Sequence, residues 1–296
     1  MFGGRLRFAS GDDPVLYVHV GGGLGNQLFQ VSCGTSVAEA TGRTMVMLLD
    51  APDPTRPFEL EHLVPDVRIE AWRPERRGER YLWRFPYRTR GGVVVRYLCD
   101  PGFHEVLDLP WLLERSPHPV ILDGNWQSPS YLGDTAATRA TVLGWLDAHH
   151  PPTPSLPIGP DDVSVHVRRG DIAHDIRFTA RYGTLGLWYY LDALTAIVER
   201  TGPLGRLFVF SDEPGNGIGS ALADRLGCEV VPVLGGTATS DLALMTRFRR
   251  HVCANSTFSW WGAWLADGDA AVYPARPFVD RQLYGPFMCP ESWIRA

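Results

Sequence analysis

A chain of 296 residues, 45% of them hydrophobic, is long enough to bury two compact cores, and its formal net charge of −5 argues against nucleic-acid or anionic-membrane partners, which usually demand a basic face. All 28 basic residues are arginine. A chain without lysine forms no Schiff base, builds no Walker A phosphate loop and has no amine base, so three large enzyme classes fall away. The five cysteines, Cys33, Cys99, Cys228, Cys253 and Cys289, form no CxxC or Cys/His cluster and read as thiols of a reduced compartment. No stretch reaches the roughly 18 apolar residues of a membrane span, and residues 1–13 lack an apolar signal core. The expected location is the cytoplasm, with peripheral membrane contact left open.

The first periodic unit is a β-branched run at residues 15–20, a glycine loop Gly21-Gly22-Gly23-Leu24-Gly25, a helix-like stretch over 26–40 and a buried strand over 44–49. This βαβ opening predicts a Rossmann-like half on a parallel sheet. Residues 51–115 are rich in Pro, Arg and aromatics, and their weak periodicity predicts irregular chain with short strands such as 93–97. A short strand over 120–122 leads into Asp123-Gly124-Asn125-Trp126-Gln127-Ser128, and a helix is expected over 135–148. Residues 149–162 carry five prolines and cannot continue a helix. The boundaries expected are therefore 1–150 for a first domain, 151–162 for a linker and 163–296 for a second domain.

Beyond the linker, strands expected at 163–167, 207–210, 229–233, 251–254 and 270–273 alternate with helices at 187–199, 218–226, 240–249 and 257–266. This is the pattern of a five-stranded, doubly wound α/β domain. Two Rossmann-like domains on a proline linker predict the GT-B architecture, an α/β fold whose domains face a central cleft. Ligands of open α/β sheets bind beyond the carboxyl ends of strands, and the chemistry-bearing motifs fall at such ends.

The sharpest is His166-Val167-Arg168-Arg169-Gly170-Asp171, which brings an imidazole, two guanidiniums and a carboxylate to one strand end. A guanidinium matches a diphosphate through paired, charge-assisted hydrogen bonds and stabilises charge growing on a leaving phosphate. The bland alternative is a surface arginine pair in a turn. Ser211 and Asp212 offer polar groups for a guanine or ribose edge, or cap the next helix. In Asn255-Ser256-Thr257-Phe258-Ser259-Trp260-Trp261, the helix start and its hydroxyls can hold a phosphate. There the alternatives are Ser256 or Thr257 as a plain cap, with Trp260, Trp261 and Trp264 filling core. The glycine loop carries Asn26 where the third glycine of a dinucleotide fingerprint belongs, and with Asp50 it suits an NAD-dependent oxidoreductase, a reading that leaves the arginine motif idle. Asp267-Gly268-Asp269 has the composition of a metal-binding carboxylate pair, but between a helix and a strand it reads as a turn. The nine histidines show no metal-site spacing.

Six segments, Gly22-Gly23-Leu24-Gly25-Asn26-Gln27-Leu28-Phe29, Asp123 to Ser128, His166 to Asp171, Phe210-Ser211-Asp212, Ser240-Asp241-Leu242-Ala243-Leu244-Met245 and Asn255 to Gly262, resemble in this order the motifs of α-1,2-fucosyltransferases of glycosyltransferase family 11. The resemblance spans residues 15–275, with 51–115 poorly matched. It implies an inverting GT-B enzyme, resembling the bacterial members, that needs neither metal nor cofactor and moves fucose from GDP-β-L-fucose to an oligosaccharide acceptor, usually α-1,2 to a terminal galactose. It further implies that Arg168 contacts the β-phosphate, that His166 and Asp171 line the reacting centre, and that Ser256, Thr257, Phe258 and Ser259 hold the diphosphate. Arg169, Ser211, Asp212 and Asn255 complete the expected donor side, and Asn26, Gln27, Trp126 and Gln127 the acceptor side. Asp171 is the first candidate for the base and His166 the second. An inactive sugar-nucleotide-binding protein is a third reading, beside the transferase and the oxidoreductase.

Overall fold

The β-branched run Val15–Val20 forms β1 and is buried along its whole length, as expected of a strand covered on both faces. The structure, a computed structural model, describes residues 14–49, 56–71, 86–88, 94–101, 105–114, 116, 118–151, 157–170, 175–213, 215–266, 268–280, 283 and 286–296. Asp50, Asp171 and Asp267 lie outside the described residues. The chain divides into two units, Met1–Thr138 and Arg139–Ala296.

In the first unit, β1 is followed by α1 (Leu24–Thr41), β2 (Thr44–Leu49), β3 (Arg68–Ala71), β4 (Pro86–Arg88), β5 (Val94–Cys99), α2 (Leu109–Glu114) and β6 (Val120–Asp123). The sheet order is β3-β2-β1-β6-β5-β4, parallel except where β4 runs against β5. Helix α1 lies close on β1 because residue 34 is glycine: a Cβ there would stand 2.5 Å from Val18 Cγ2. The weakly patterned stretch supplies β3, β4 and β5. Strand β5 shows no alternation because Val95, Tyr97 and Leu98 are all buried.

Helix α3 (Thr135–His149) begins at the junction of the two units, and from Arg139 onward it belongs to the second. There Arg139 donates to the Leu265 carbonyl at 3.0 Å and lies 5.6 Å from the ring centre of Trp264. The second unit continues with β7 (Val163–Val167), α4 (Ile176–Tyr182), α5 (Leu187–Thr201), β8 (Leu207–Ser211), α6 (Ile218–Leu226) and β9 (Val230–Val233). It closes with α7 (Ala238–Met245), β10 (Arg250–Val252), α8 (Thr257–Ala266), β11 (Ala270–Tyr273) and β12 (Ile294–Arg295). Its sheet is parallel throughout, ordered β9-β8-β7-β10-β11-β12, the 3-2-1-4-5-6 winding of a dinucleotide-type fold. The sixth strand, absent from the sequence expectation, is only two residues long and pairs with β11.

Alternation on the central strands fills a core on each face. Val163, Val165 and Val167 pack with Tyr190, Leu194 and Ile197 of α5, while Phe208 and Phe210 of β8 meet Leu244, Met245 and Phe248 on the other side. Two of the three tryptophans of α8 are core: Trp260 and Trp261 are buried, and Trp260 Nε1 donates to the Met288 carbonyl at 2.7 Å, while Trp264 is partly exposed. His251 is also internal. Its Nε2–H donates to the Phe248 carbonyl at 3.0 Å and its Nδ1 accepts from Ser164 Oγ at 2.7 Å, so this imidazole is a neutral tie between β10 and β7.

Candidate active site

Open α/β sheets hold ligands beyond the carboxyl ends of their strands, above all in the crevice where the winding reverses. Among the described strands of the first unit the parallel crossovers all run one way along the sheet and give no such reversal, but β1 and β6 are neighbours and carry the glycine loop and the Asp123–Ser128 segment at their carboxyl ends. In the second unit the reversal lies between β7 and β10, flanked by Arg168-Arg169-Gly170 and by Asn255–Ser259. Four motifs far apart in sequence thus meet as two pairs.

At the reversal between β7 and β10 the arginine motif is a braced turn. Asp212 Oδ1, beyond the end of β8, accepts the Arg169 backbone N–H at 2.8 Å, and the Arg169 guanidinium donates to the Leu185 carbonyl at 2.9 Å. Gly170 has φ of +20°, and a Cβ there would stand 2.4 Å from Asp212 Oδ2, so the turn requires glycine. Arg169 and Asp212 therefore act here as braces. Arg168, partly buried, is within electrostatic reach of both His166 and Tyr273. His166 is buried, its Nδ1 has no hydrogen-bond partner among the described residues, and its ring lies 5.4 Å from that of Phe258. Burial, reinforced by the Arg168 charge, lowers the His166 pKa to about 3. Such an imidazole is neutral at working pH and a weak base, which leaves little for it to do in accepting a proton.

Other expected donor-side residues are engaged within the fold. Ser211 Oγ accepts the Glu213 N–H at 3.1 Å and the Asn216 amide at 3.0 Å. Asn255 Nδ2 donates to the carbonyls of Tyr182 and Gly183, at 3.1 and 3.0 Å, tying the end of α4 to the reversal. Ser256 Oγ caps α8 by accepting the Phe258 N–H at 3.2 Å, and Ser259 Oγ accepts the Ala254 N–H at 3.2 Å. Of this segment only Thr257 and Phe258 are partly exposed at the start of α8. Asp241, quoted within a motif but given no role by the sequence reading, stands out instead. It sits in the first turn of α7, beyond the end of β9, with a buried Oδ1 that has no partner among the described residues, and burial raises its pKa to about 6. A single carboxylate following Thr239 and Ser240 in the helix's first turn gave the sequence no spacing to mark it.

At the neighbouring ends of β1 and β6, Asn26 Oδ1 accepts from Gln127 Nε2 at 2.8 Å. Gln127 is buried, and the Trp126 ring is fully buried with φ of +52° at its backbone. The Asp100 carboxylate accepts the N–H groups of Asn125 and Trp126, at 3.2 and 2.7 Å, and holds that bend. Gln27 is also internal: its Nε2 donates to the carbonyls of Gly22 and Pro57, at 2.9 and 2.7 Å, and its Oε1 accepts the Glu59 N–H at 2.9 Å. Below the loop, His19 Nδ1 and Asp123 Oδ1 are 2.8 Å apart on paired strands, a contact the sequence reading missed because the two positions are separated by 104 residues.

Of the remaining carboxylate pair only Asp269 is described. Asp269 receives both Arg249 Nε and Arg249 Nη2, at 2.8 and 2.7 Å, and this partner holds its pKa down. Among the described residues no group of three His, Cys, Asp or Glu side chains is placed to hold a metal, and no helix is long and apolar enough to cross a membrane.

The chain is 36% identical to an α-1,2-colitosyltransferase of Escherichia coli over 95% of its own length and 98% of that protein's. Its residues 158–282 match the profile of Glycosyl transferase family 11. The chain belongs to glycosyltransferase family 11. A second relative, the O-antigen biosynthesis glycosyltransferase WbnK of Escherichia coli, is 31% identical over 84% of this chain and 90% of that one. Among solved structures, POFUT1 in complex with GDP overlays with a TM-score of 0.45 at 17% identity, covering 88% of this chain and 97% of the other. This family 11 glycosyltransferase is an α/β protein of two Rossmann-like units on largely parallel sheets. Membership displaces the oxidoreductase reading of the glycine loop.

Proposed function

We propose that this family 11 glycosyltransferase moves L-fucose from GDP-fucose to a hydroxyl of an oligosaccharide, with inversion and in α-1,2 linkage to a terminal galactose. The observation that carries the reading is the pairing, at one sheet reversal, of the braced Arg168 turn with the start of α8. A guanidinium and a helix N-terminus offer a diphosphate fixed positive charge from two sides. Arg168 serves the β-phosphate as the glycosidic bond breaks, where charge grows, and so acts on the transition state more than on the bound donor. Thr257 and Phe258 line the diphosphate, and these groups do the work that a divalent cation does in metal-dependent transferases.

Asp241 suits the guanine. A desolvated carboxylate with an unpartnered oxygen is matched by the adjacent N1–H and N2–H donors of that base. Asp171 follows the arginine turn directly and is the proposed base for the acceptor hydroxyl, since burial makes His166 too weak a base.

A second donor, colitose, which is fucose without its 3-hydroxyl, is favoured by the 36% identity to the colitosyltransferase. The test is incubation with each GDP-sugar and a panel of galactosides in EDTA, followed by mass and linkage analysis. Turnover of GDP-fucose to an α-1,2 product supports the reading. Exclusive use of GDP-colitose replaces the donor, a requirement for added manganese removes the metal-independent mechanism, and GDP-fucose binding without any turnover leaves the inactive binding protein.

A further inference from the structure

Of the four acceptor-side residues expected from sequence, Gln27, Trp126 and Gln127 are buried in the first unit's framework, and only Asn26 is partly exposed. The framework holds something else at that edge. Both ends of the Gln27 carboxamide clamp the segment around Glu59, through the Pro57 carbonyl and the Glu59 N–H, while the same Nε2 ties it to the Gly22 carbonyl. Leu60 and Leu63 are buried and anchor the segment from the other side. Next to it, an Arg56 guanidinium nitrogen lies 3.3 Å from where a Cβ of Gly23 would stand. The clamp therefore holds Glu59 beside the glycine loop that follows the carboxyl end of β1.

The Glu59 carboxylate is partly buried, and among the described residues no cation and no hydrogen-bond donor reaches it. A carboxylate is an acceptor of high capacity, and a sugar presents adjacent hydroxyl donors. We propose that Glu59 is a specificity-determining residue of the acceptor subsite, held by Gln27 so that its carboxylate accepts hydrogen bonds from hydroxyls of the incoming sugar. Desolvation raises its pKa, in keeping with a group whose hydrogen-bond partners arrive with the substrate. The inference rests on the transferase reading for the nature of the acceptor.

The test compares wild type, Glu59→Gln and Glu59→Ala in steady-state transfer from GDP-fucose to lactose. It is run beside calorimetric titration with GDP, thermal melting, and saturation-transfer NMR of lactose in the presence of GDP. Loss of hydrogen bonds to a charged acceptor predicts a rise in the lactose KM of about 10- to 100-fold in Glu59→Ala and a smaller rise in Glu59→Gln. The donor KM, the GDP affinity and the melting temperature stay near wild type, and the lactose saturation signal is lost in Glu59→Ala. A lactose KM and saturation signal unchanged in both variants overturn the proposal. So does a fall in kcat at constant KM, which makes Glu59 a proton acceptor instead. If wild type binds no GDP, the transferase reading fails. If it binds GDP but gives neither turnover nor a lactose signal, the acceptor assignment fails, and with it this proposal.

Discussion

Replacing Gly170 with alanine tests whether the braced arginine turn is what the site depends on. The φ of +20° is outside the range that residues with a Cβ favour, which costs about 1–2 kcal/mol. The new methyl would also stand 2.4 Å from Asp212 Oδ2. To relieve that contact Asp212 must move and release the Arg169 N–H, losing a charge-assisted hydrogen bond worth about 1.5–3 kcal/mol. The expected destabilisation is about 2.5–5 kcal/mol, read as a lower urea midpoint at unchanged slope. Because the same turn sets the position of Arg168, kcat falls by more than the loss of folded protein explains. Adding Asp212→Ser to Gly170→Ala removes the clash, so the double mutant is less destabilised than the sum of the two single changes. A Gly170→Ala protein with wild-type midpoint and kcat, or strict additivity in the cycle, refutes the bracing argument.

Arg168→Lys keeps the charge but loses the planar fork, and kcat is expected to fall about 10²–10³-fold with little change in GDP affinity. Arg169→Lys should cost stability more than rate, since that side chain braces the turn through the Leu185 carbonyl; equal and small rate effects for both variants would reduce the pair to a surface turn. Stability should also fall on mild acidification. Burial lowers the pKa values of His166 and His251 to about 3 and about 4, below the unfolded value of about 6.5, so the unfolded state takes up protons first. Their stabilisation is complete above pH 6.5 and declines as pH falls towards their folded values, by about 2 kcal/mol each at pH 5. Asp241, whose folded pKa is raised, returns a smaller part of this below pH 6, so Asp241→Asn should steepen the decline measured by urea unfolding between pH 7 and 5. A flat profile in that variant would contradict the burial of both imidazoles.

The sheets were legible in the sequence where a strand is long and apolar, as in Val15–Val20 and Val163–Val167, and where glycine or proline punctuates the chain. In 51–115 the strand expected at 93–97 was legible and is Val94–Cys99, but Arg68–Ala71, short and half exposed, was not, nor was Ile294–Arg295, where two residues carry no pattern at all. The motifs located the reversal between β7 and β10 and the neighbouring ends of β1 and β6, because polar residues at the end of an apolar strand are conspicuous. What the sequence could not show is which of those polar groups the protein uses for itself. Ser211, Asn255, Ser256 and Gln27 have the chemistry of ligand-binding residues, yet each holds backbone groups of its own fold. Conversely, Asp241 and Glu59 were given no role because a lone carboxylate has no spacing to betray it.

Unsatisfied buried groups sharpen this distinction, because a buried polar atom without a partner weakens the fold unless a ligand or a conformational change supplies one. Around the arginine turn, His166 Nδ1 and the hydroxyls of Tyr190 and Tyr273 have no partner among the described residues, while Arg168, Arg169 and Asp212 supply the local field. Elsewhere in the same unit, His251 bonds through both ring nitrogens, and Tyr189 donates to the Cys253 carbonyl at 2.5 Å. Three tyrosines in one unit therefore predict opposite signs for one chemical change. Tyr189→Phe removes a hydrogen bond and leaves a carbonyl unpaired, lowering stability by about 1 kcal/mol or more. Tyr190→Phe and Tyr273→Phe remove a desolvated hydroxyl that has no partner among the described residues, and should raise stability by about 1 kcal/mol. Urea midpoints at constant slope read all three. If the hydroxyl of Tyr273 finds its partner only when the diphosphate draws Arg168 towards it, Tyr273→Phe gains stability and loses rate together, the exchange expected where a site keeps polar groups unsatisfied for its substrate. A loss of stability in all three variants would show that these hydroxyls are bonded in the resting protein, and that the site is not held open for a ligand.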